Sequence, residues 1–249
     1  MELEQFRSRD IEEIVKALNT DRNWTACALG NLNDVTFPIT RYYANGPNVV
    51  MVYEASDPPY LFCHGGIGAL RLILSRLPHG DYLAAFTMEP EEIFPPDTKV
   101  VELKRMLRMK METAGKNFDG GVADRLEQKD VEAITELLSY FEGRSFNPEQ
   151  LAYPHAGIYL DDQLVAMAGT RIVNPEQRVA CLDAVLVHPE FAERGFGPQV
   201  LGKILELLAR DVDLVAVDSP VKDKTSIELY GRLGFTTHGR FNESWVTIP

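Results

Sequence analysis

Cysteine is scarce in this chain, with three in 249 residues, and Cys27, Cys63 and Cys181 stand far apart without a C-x-x-C pair. That leaves neither a disulfide framework nor a thiolate metal clamp, so the three are read as core thiols and no metal is expected. Long apolar runs are missing too. The opening MELEQFRSRDIEEI is charged from its second residue and has no apolar stretch approaching about 18 residues, which predicts a cytoplasmic protein with no membrane partner. Basic residues are outnumbered: 25 Lys and Arg against 37 Asp and Glu give a net charge of -12. A surface that tracks nucleic-acid phosphates needs a basic stripe, so nucleic acid is excluded as a partner, whereas an acidic cleft suits a small amine. Low-complexity tracts are absent, and 45% hydrophobic residues place the chain among globular proteins, long enough for two cores.

The first half alternates helix and strand patterns. DIEEIVKALN has helical periodicity and a turn-rich stretch follows through Asn31 and Asn33; VVMVYEA and PYLFCH are β-rich, IGALRLILSRL helical, DYLAAFTM a strand, and VELKRMLRMKME fits either. The polar, glycine-containing ETAGKNFDGG reads as a connection between two domains. Beyond it the pattern restarts with VADRLEQ as a strand, DVEAITELLSYF and FNPEQL as helices, and AGIYLDD, QLVAMAGTRIV and VACLDAVLV as an antiparallel meander. A glycine turn and the helix PQVLGKILELLARD follow, then the strand LVAVDS, the helix KTSIELYGRLG and a closing hairpin FTTHGRFNESWV.

The run V-H-P-E-F-A-E-R-G-F-G carries the most chemistry. Gly195 and Gly197 let the backbone turn tightly at the start of a helix, where successive N–H groups and the positive helix end point at an anion such as a pyrophosphate. Tyr230 stands 35 residues after Gly195 on the helix that follows the next strand. This ensemble, VHPEFAERGFGPQVL followed by DKTSIELYGRLGF, resembles the GNAT acyltransferase superfamily over roughly residues 122 to 245. The resemblance implies an α/β fold of two GNAT-like domains, each a mixed, mostly antiparallel sheet flanked by helices. Residues 1–115 would be a degenerate copy, and 116–249 the catalytic domain that binds acetyl-CoA as cosubstrate. The activity implied is transfer of an acetyl group to an amine of a small molecule or peptide.

Carried onto this sequence, the resemblance implies that the backbone of Val185, Leu186 and Val187 pairs with the pantetheine arm. It implies that Glu193, Arg194, Gly195, Phe196 and Gly197 cradle the pyrophosphate, that Ser226 lies beside the cofactor, and that Tyr230 protonates the departing thiolate. A phenol suits that last task because it stays protonated at neutral pH. The alternative for Tyr230 is packing beside Phe235. Asp183 is a candidate base acting through water; strand alternation puts it on the face of Val185 and Val187, and pairing with Arg171 or Arg178 is its alternative. His188, before Pro189, reads as a solvent-facing loop residue. Ala192 replaces the family's Arg or Gln, Pro198 removes an N–H, and Asp223 stands for an asparagine, where a helix N-cap is the simpler role. These departures keep open a non-catalytic acyl-CoA-binding or sensor protein. A nicotinamide reading of H-G-G-I-G-A-L ranks last, because the third glycine position of the dinucleotide fingerprint holds Arg71.

Overall fold

The computed structural model of the protein describes residues 2–142, 144 and 146–249. Packing divides it into two compact units, Met1–Arg108 with Ser219–Lys222 and Thr237–Pro249, and Met109–Asp218 with Asp223–Thr236.

Along the chain run Arg7–Ser8 (β1), Ile11–Leu18 (α1), Arg22–Gly30 (α2), Thr40–Asn45 (β2), Asn48–Tyr53 (β3), Tyr60–His64 (β4), Ile67–Leu74 (α3), Gly80–Phe86 (β5), Pro90–Ile93 (α4) and Lys99–Glu112 (β6). The strand settles the segment that fitted either periodicity. α1 begins where Asp10 accepts from the Glu13 N–H at 3.1 Å, and it buries Ile14, Ala17 and Leu18. α2 is a helix that the sequence reading leaves as loop. Trp24 to Gly30 are all buried, so the segment has no polar face and gives no periodic signal.

The second unit contains Asp124–Arg125 (β7), Val131–Leu138 (α5), His155–Leu160 (β8), Gln163–Asn174 (β9), Val179–Val187 (β10), Phe196–Leu208 (α6), Leu214–Pro220 (β11, whose last two residues belong to the first unit) and Lys224–Arg232 (α7). The strand expected over VADRLEQ shrinks to two residues. β8 and β9 meet at Asp161 and Asp162, both with positive φ, the tight turn that two-residue hairpins favour. The order is β7-β8-β9-β10-β11, antiparallel except for β10 with β11. Val200, Leu201, Ile204, Leu205 and Leu208 of α6 pack against Ile158, Val165, Val215 and Val217 of this sheet. The polar segment expected to connect two domains lies inside this unit, against α6. A Cβ on Gly202 would stand 2.1 Å from the Asp119 carbonyl oxygen, and the Val122 N–H donates to Gln199 Oε1 at 3.2 Å.

Thr236–Ile248 (β12) is one long strand, not the closing hairpin expected, and Gly239 within it does not take a positive φ. Its end, Asn242–Ile248, pairs antiparallel with β5, so the order in the first unit is β1-β2-β3-β4-β5-β12, with β4 and β5 parallel. Mixed, mostly antiparallel sheets with flanking helices therefore build both units, as the sequence predicts. All three cysteines are buried; Cys63 is a free thiol, whereas Cys27 and Cys181 are not free, contrary to the expectation of three thiols.

Candidate active site

The site grows from the way β10 ends. Parallel pairing with β11 covers only Val179↔Leu214, Ala180↔Val215 and Cys181↔Ala216, so the strands part after Cys181. On the other edge Leu182 opposes Thr170 and Val185 opposes Ala168, leaving Asp183 and Ala184 as two residues across from Gly169. This bulge re-aims the strand. Leu182, Val185 and Val187 consequently pack against one core, which strict alternation forbids, while Leu186 packs with Leu137 and Leu138 of α5. Asp183 is thereby removed from the face of Val185 and Val187, where alternation placed it.

Asp183 Oδ1 stands 3.6 Å from Arg144 and 4.0 Å from Arg171, as its alternative anticipated for Arg171; Arg178 pairs with Asp213 instead. Arg144 lies in a polar stretch with no motif to single it out.

Tyr230 is 3% exposed, and its ring lies 5.6 Å from that of Phe235, so it does pack as its alternative proposed. Burial pushes the phenol up to about 12, aided by the Asp223 and Asp183 carboxylates and opposed by the nearby Val185 backbone N–H and by Arg144. Among the described residues its own proton has no acceptor. Tyr230 and Val185 thus meet at the point where β10 leaves β11.

α6 starts at Gly195, whose φ of 80° is left-handed, and Glu193 before it also has a positive φ of 64°. A Cβ on Gly195 would meet nothing within 4 Å, so the turn is open in front. At Gly197 a Cβ would approach Leu229 at 3.5 Å and Val187 at 3.8 Å, which brings β10, α6 and α7 together at the cradle. The N–H groups of a helix's first turn have no partner in the helix; Pro198 withdraws one of them. Arg194 is exposed and stacks 4.9 Å over Phe191. Asp223 caps α7, accepting from the Ser226 N–H at 3.0 Å, which fixes half-buried Ser226 on the first turn.

His188 is 3% exposed, not solvent-facing: its Nδ1 accepts from the Glu190 N–H at 3.2 Å, and the ring packs on Tyr140 with centroids 4.1 Å apart. No cluster of metal-binding side chains occurs among the described residues, nor a helix long and apolar enough to cross a membrane.

Comparison with known proteins fits this geometry. Residues 123–235 match the acetyltransferase (GNAT) family. Among solved structures, a Drosophila protein is similar with a TM-score of 0.70 at 12% identity, covering 98% of each chain. A GCN5-related N-acetyltransferase from Kribbella flavida has a TM-score of 0.58 at 15% identity, covering 92% of this chain and 95% of that one. A tandem GNAT protein from the clavulanic acid biosynthesis pathway has a TM-score of 0.53 at 12% identity, covering 99% and 96%. These likenesses concern the fold. No curated protein matches the chain. The open glycine turn, the parting strands and the tyrosine between them accordingly lie in a domain, residues 123–235, that belongs to the acetyltransferase (GNAT) family.

Proposed function

We propose that this protein is a cytoplasmic N-acetyltransferase that transfers the acetyl group of acetyl-CoA to an amine of a small molecule or peptide. Residues 116–249 would form the catalytic GNAT domain, and residues 1–115 a degenerate copy. The observation that carries the reading is the burial of Tyr230 where β10 parts from β11, beside an open glycine turn. Backbone N–H groups from Glu193 to Gly197 fit the charge of a pyrophosphate, and the unpaired edge of Val185 to Val187 fits an extended amide-bearing arm.

The amine nitrogen forms a bond to the thioester carbonyl carbon, the carbon–sulfur bond breaks, and the thiolate takes the proton of Tyr230. A phenol held up to about 12 keeps that proton until a thiolate forms beside it. The Val185 N–H, which opposes the rise of the phenol's pKa, steadies the phenolate that results. Asp183 acts as base through an intervening water, its carboxylate oriented by Arg144 and Arg171.

The departures at Ala192 and Pro198 support a second reading, a protein that binds acyl-CoA and turns nothing over. Titration with acetyl-CoA followed by thiol release across an amine panel separates the two. Binding with amine-dependent thiol release that Tyr230→Phe lowers supports the enzyme; binding without release from any amine supports the sensor; no binding overturns both.

A further inference from the structure

In the first unit the parallel pairing of β4 with β5 ends at Phe62↔Ala85. Beyond the ends of these strands lies a cavity of about 320 Å³ bordered by the side chains of Asp21, Trp24, His64, Thr87, His238 and Arg240. That volume is at the small end of ligand sites.

The hydrogen bonds fix what each group offers. Thr20 has one hydroxyl proton and donates it to the Ala17 carbonyl at 2.7 Å. His64 Nε2, 2.8 Å from Thr20 Oγ1, must therefore be the donor in that contact, which leaves Nδ1 as a lone-pair acceptor. Burial lowers the His64 pKa, which favours this neutral form. Asp21 caps α2 through Oδ1, 3.1 Å from the Trp24 N–H, and pairs with His238 at 3.0 Å, yet its side chain stays 38% exposed. Among the described residues the Arg240 guanidinium has neither an ion pair nor a hydrogen bond.

The cavity thus presents acceptors, Asp21 and His64 Nδ1, and a cationic donor, Arg240. Asp21 shares its oxygens with the Trp24 N–H and His238 yet still faces solvent, and Arg240 has no anionic partner among the described residues, so a ligand with one charge would match only one side of the cavity. We propose that this cavity binds a small α-amino acid, its carboxylate on Arg240 and its ammonium between Asp21 and His64 Nδ1. Trp24, held by Phe62 and Phe241 and by its indole N–H to the Cys63 carbonyl, closes one side of the cavity as a rigid wall. This site lies within the first unit and does not depend on the acetyltransferase reading.

The test is calorimetric titration of the full chain with each of the proteinogenic amino acids, with propionate and ethylamine as the two half-ligands, and with tryptophan fluorescence as a second readout. At least one amino acid should bind with a Kd of about 1 mM or tighter, and both half-ligands at least about tenfold more weakly. Arg240→Gln removes the guanidinium, and Asp21→Asn removes the charge while keeping an equally good cap; each should weaken binding about tenfold or more. Unchanged melting temperatures identify these losses as losses of contact. If no amino acid binds below about 10 mM, or if Arg240→Gln binds as the wild type does, the proposal is overturned.

Discussion

Asn48 Oδ1 accepts from the Gly66 N–H at 2.7 Å, so the glycine turn before α3 is filled by a side chain of the protein itself. A Cβ on Gly65 would fall 2.4 Å from that oxygen and 2.8 Å from Asn48 Cα, whereas one on Gly195 would meet nothing. Two strand-to-helix glycine turns in one chain thus have opposite occupancy, one closed by Asn48 and one open. Asn48→Ala should cost about 1 kcal/mol through the lost bond. Gly65→Ala should cost more, about 3 kcal/mol, since φ is 128° and the clash includes backbone. Urea denaturation measures both, and equal costs would contradict the closed turn.

At Gly195 the same substitution should separate folding from binding. Gly195→Ala adds an atom to open space, so stability falls only by the left-handed penalty, about 1 kcal/mol. Acetyl-CoA binding, read by calorimetry, should weaken about tenfold or more because the backbone can no longer approach the phosphates as closely.

Gly202→Ala is the contrasting case in the same helix. Its Cβ would lie 2.1 Å from the Asp119 carbonyl oxygen, with backbone on both sides of the overlap. A loss of about 3 kcal/mol is expected, together with faster proteolysis around residues 113–121 as that segment lifts from α6.

For Tyr230→Phe we expect kcat to fall by about 10²-fold or more while acetyl-CoA binding changes little. The same variant reports on stability at high pH. The folded-state pKa, up at about 12, exceeds the ordinary value of 10, so this group's contribution is complete below pH 10 and is lost as pH rises from 10 through 12. Buried Tyr42, raised by desolvation, acts in the same direction. Wild-type stability should therefore decline from pH 10 upward in urea titrations, and Tyr230→Phe should flatten that decline by about 2 kcal/mol.

Asp183→Asn tests the base. Because the carboxylate is 39% exposed and its two arginine contacts are long, stability should change by less than about 1 kcal/mol. Activity should drop in kcat by about tenfold or more with acetyl-CoA binding unchanged; a rise in acceptor KM with kcat unchanged would leave Asp183 a holder of Arg144.

Much of this arrangement is legible along the chain because it is local. The glycine turn after VLVHP, the Asp223 cap and the paired aspartates at 161 and 162 all follow from residue types within one turn of the element they shape. Features that depend on distant partners are not legible. The bulge that turns Asp183 away is created by its pairing with β9, and nothing in VACLDAVLV marks it. Arg144 becomes relevant only because a loop brings it to β10. α2 is hidden because burial on every side erases the periodicity that reveals an amphipathic helix, and Asn48 becomes a plug only when β3 pairs with β4.

The return of residues 237–249 to the first unit has a consequence for synthesis. A ribosome delivers β5 some 155 residues before the segment Asn242–Ile248 that pairs with it, so the emerging chain holds an unfinished sheet edge throughout that interval. The second unit, whose last residue is Thr236, is fully delivered before the segment Asn242–Ile248, so the earliest-made half of the protein is the last to close.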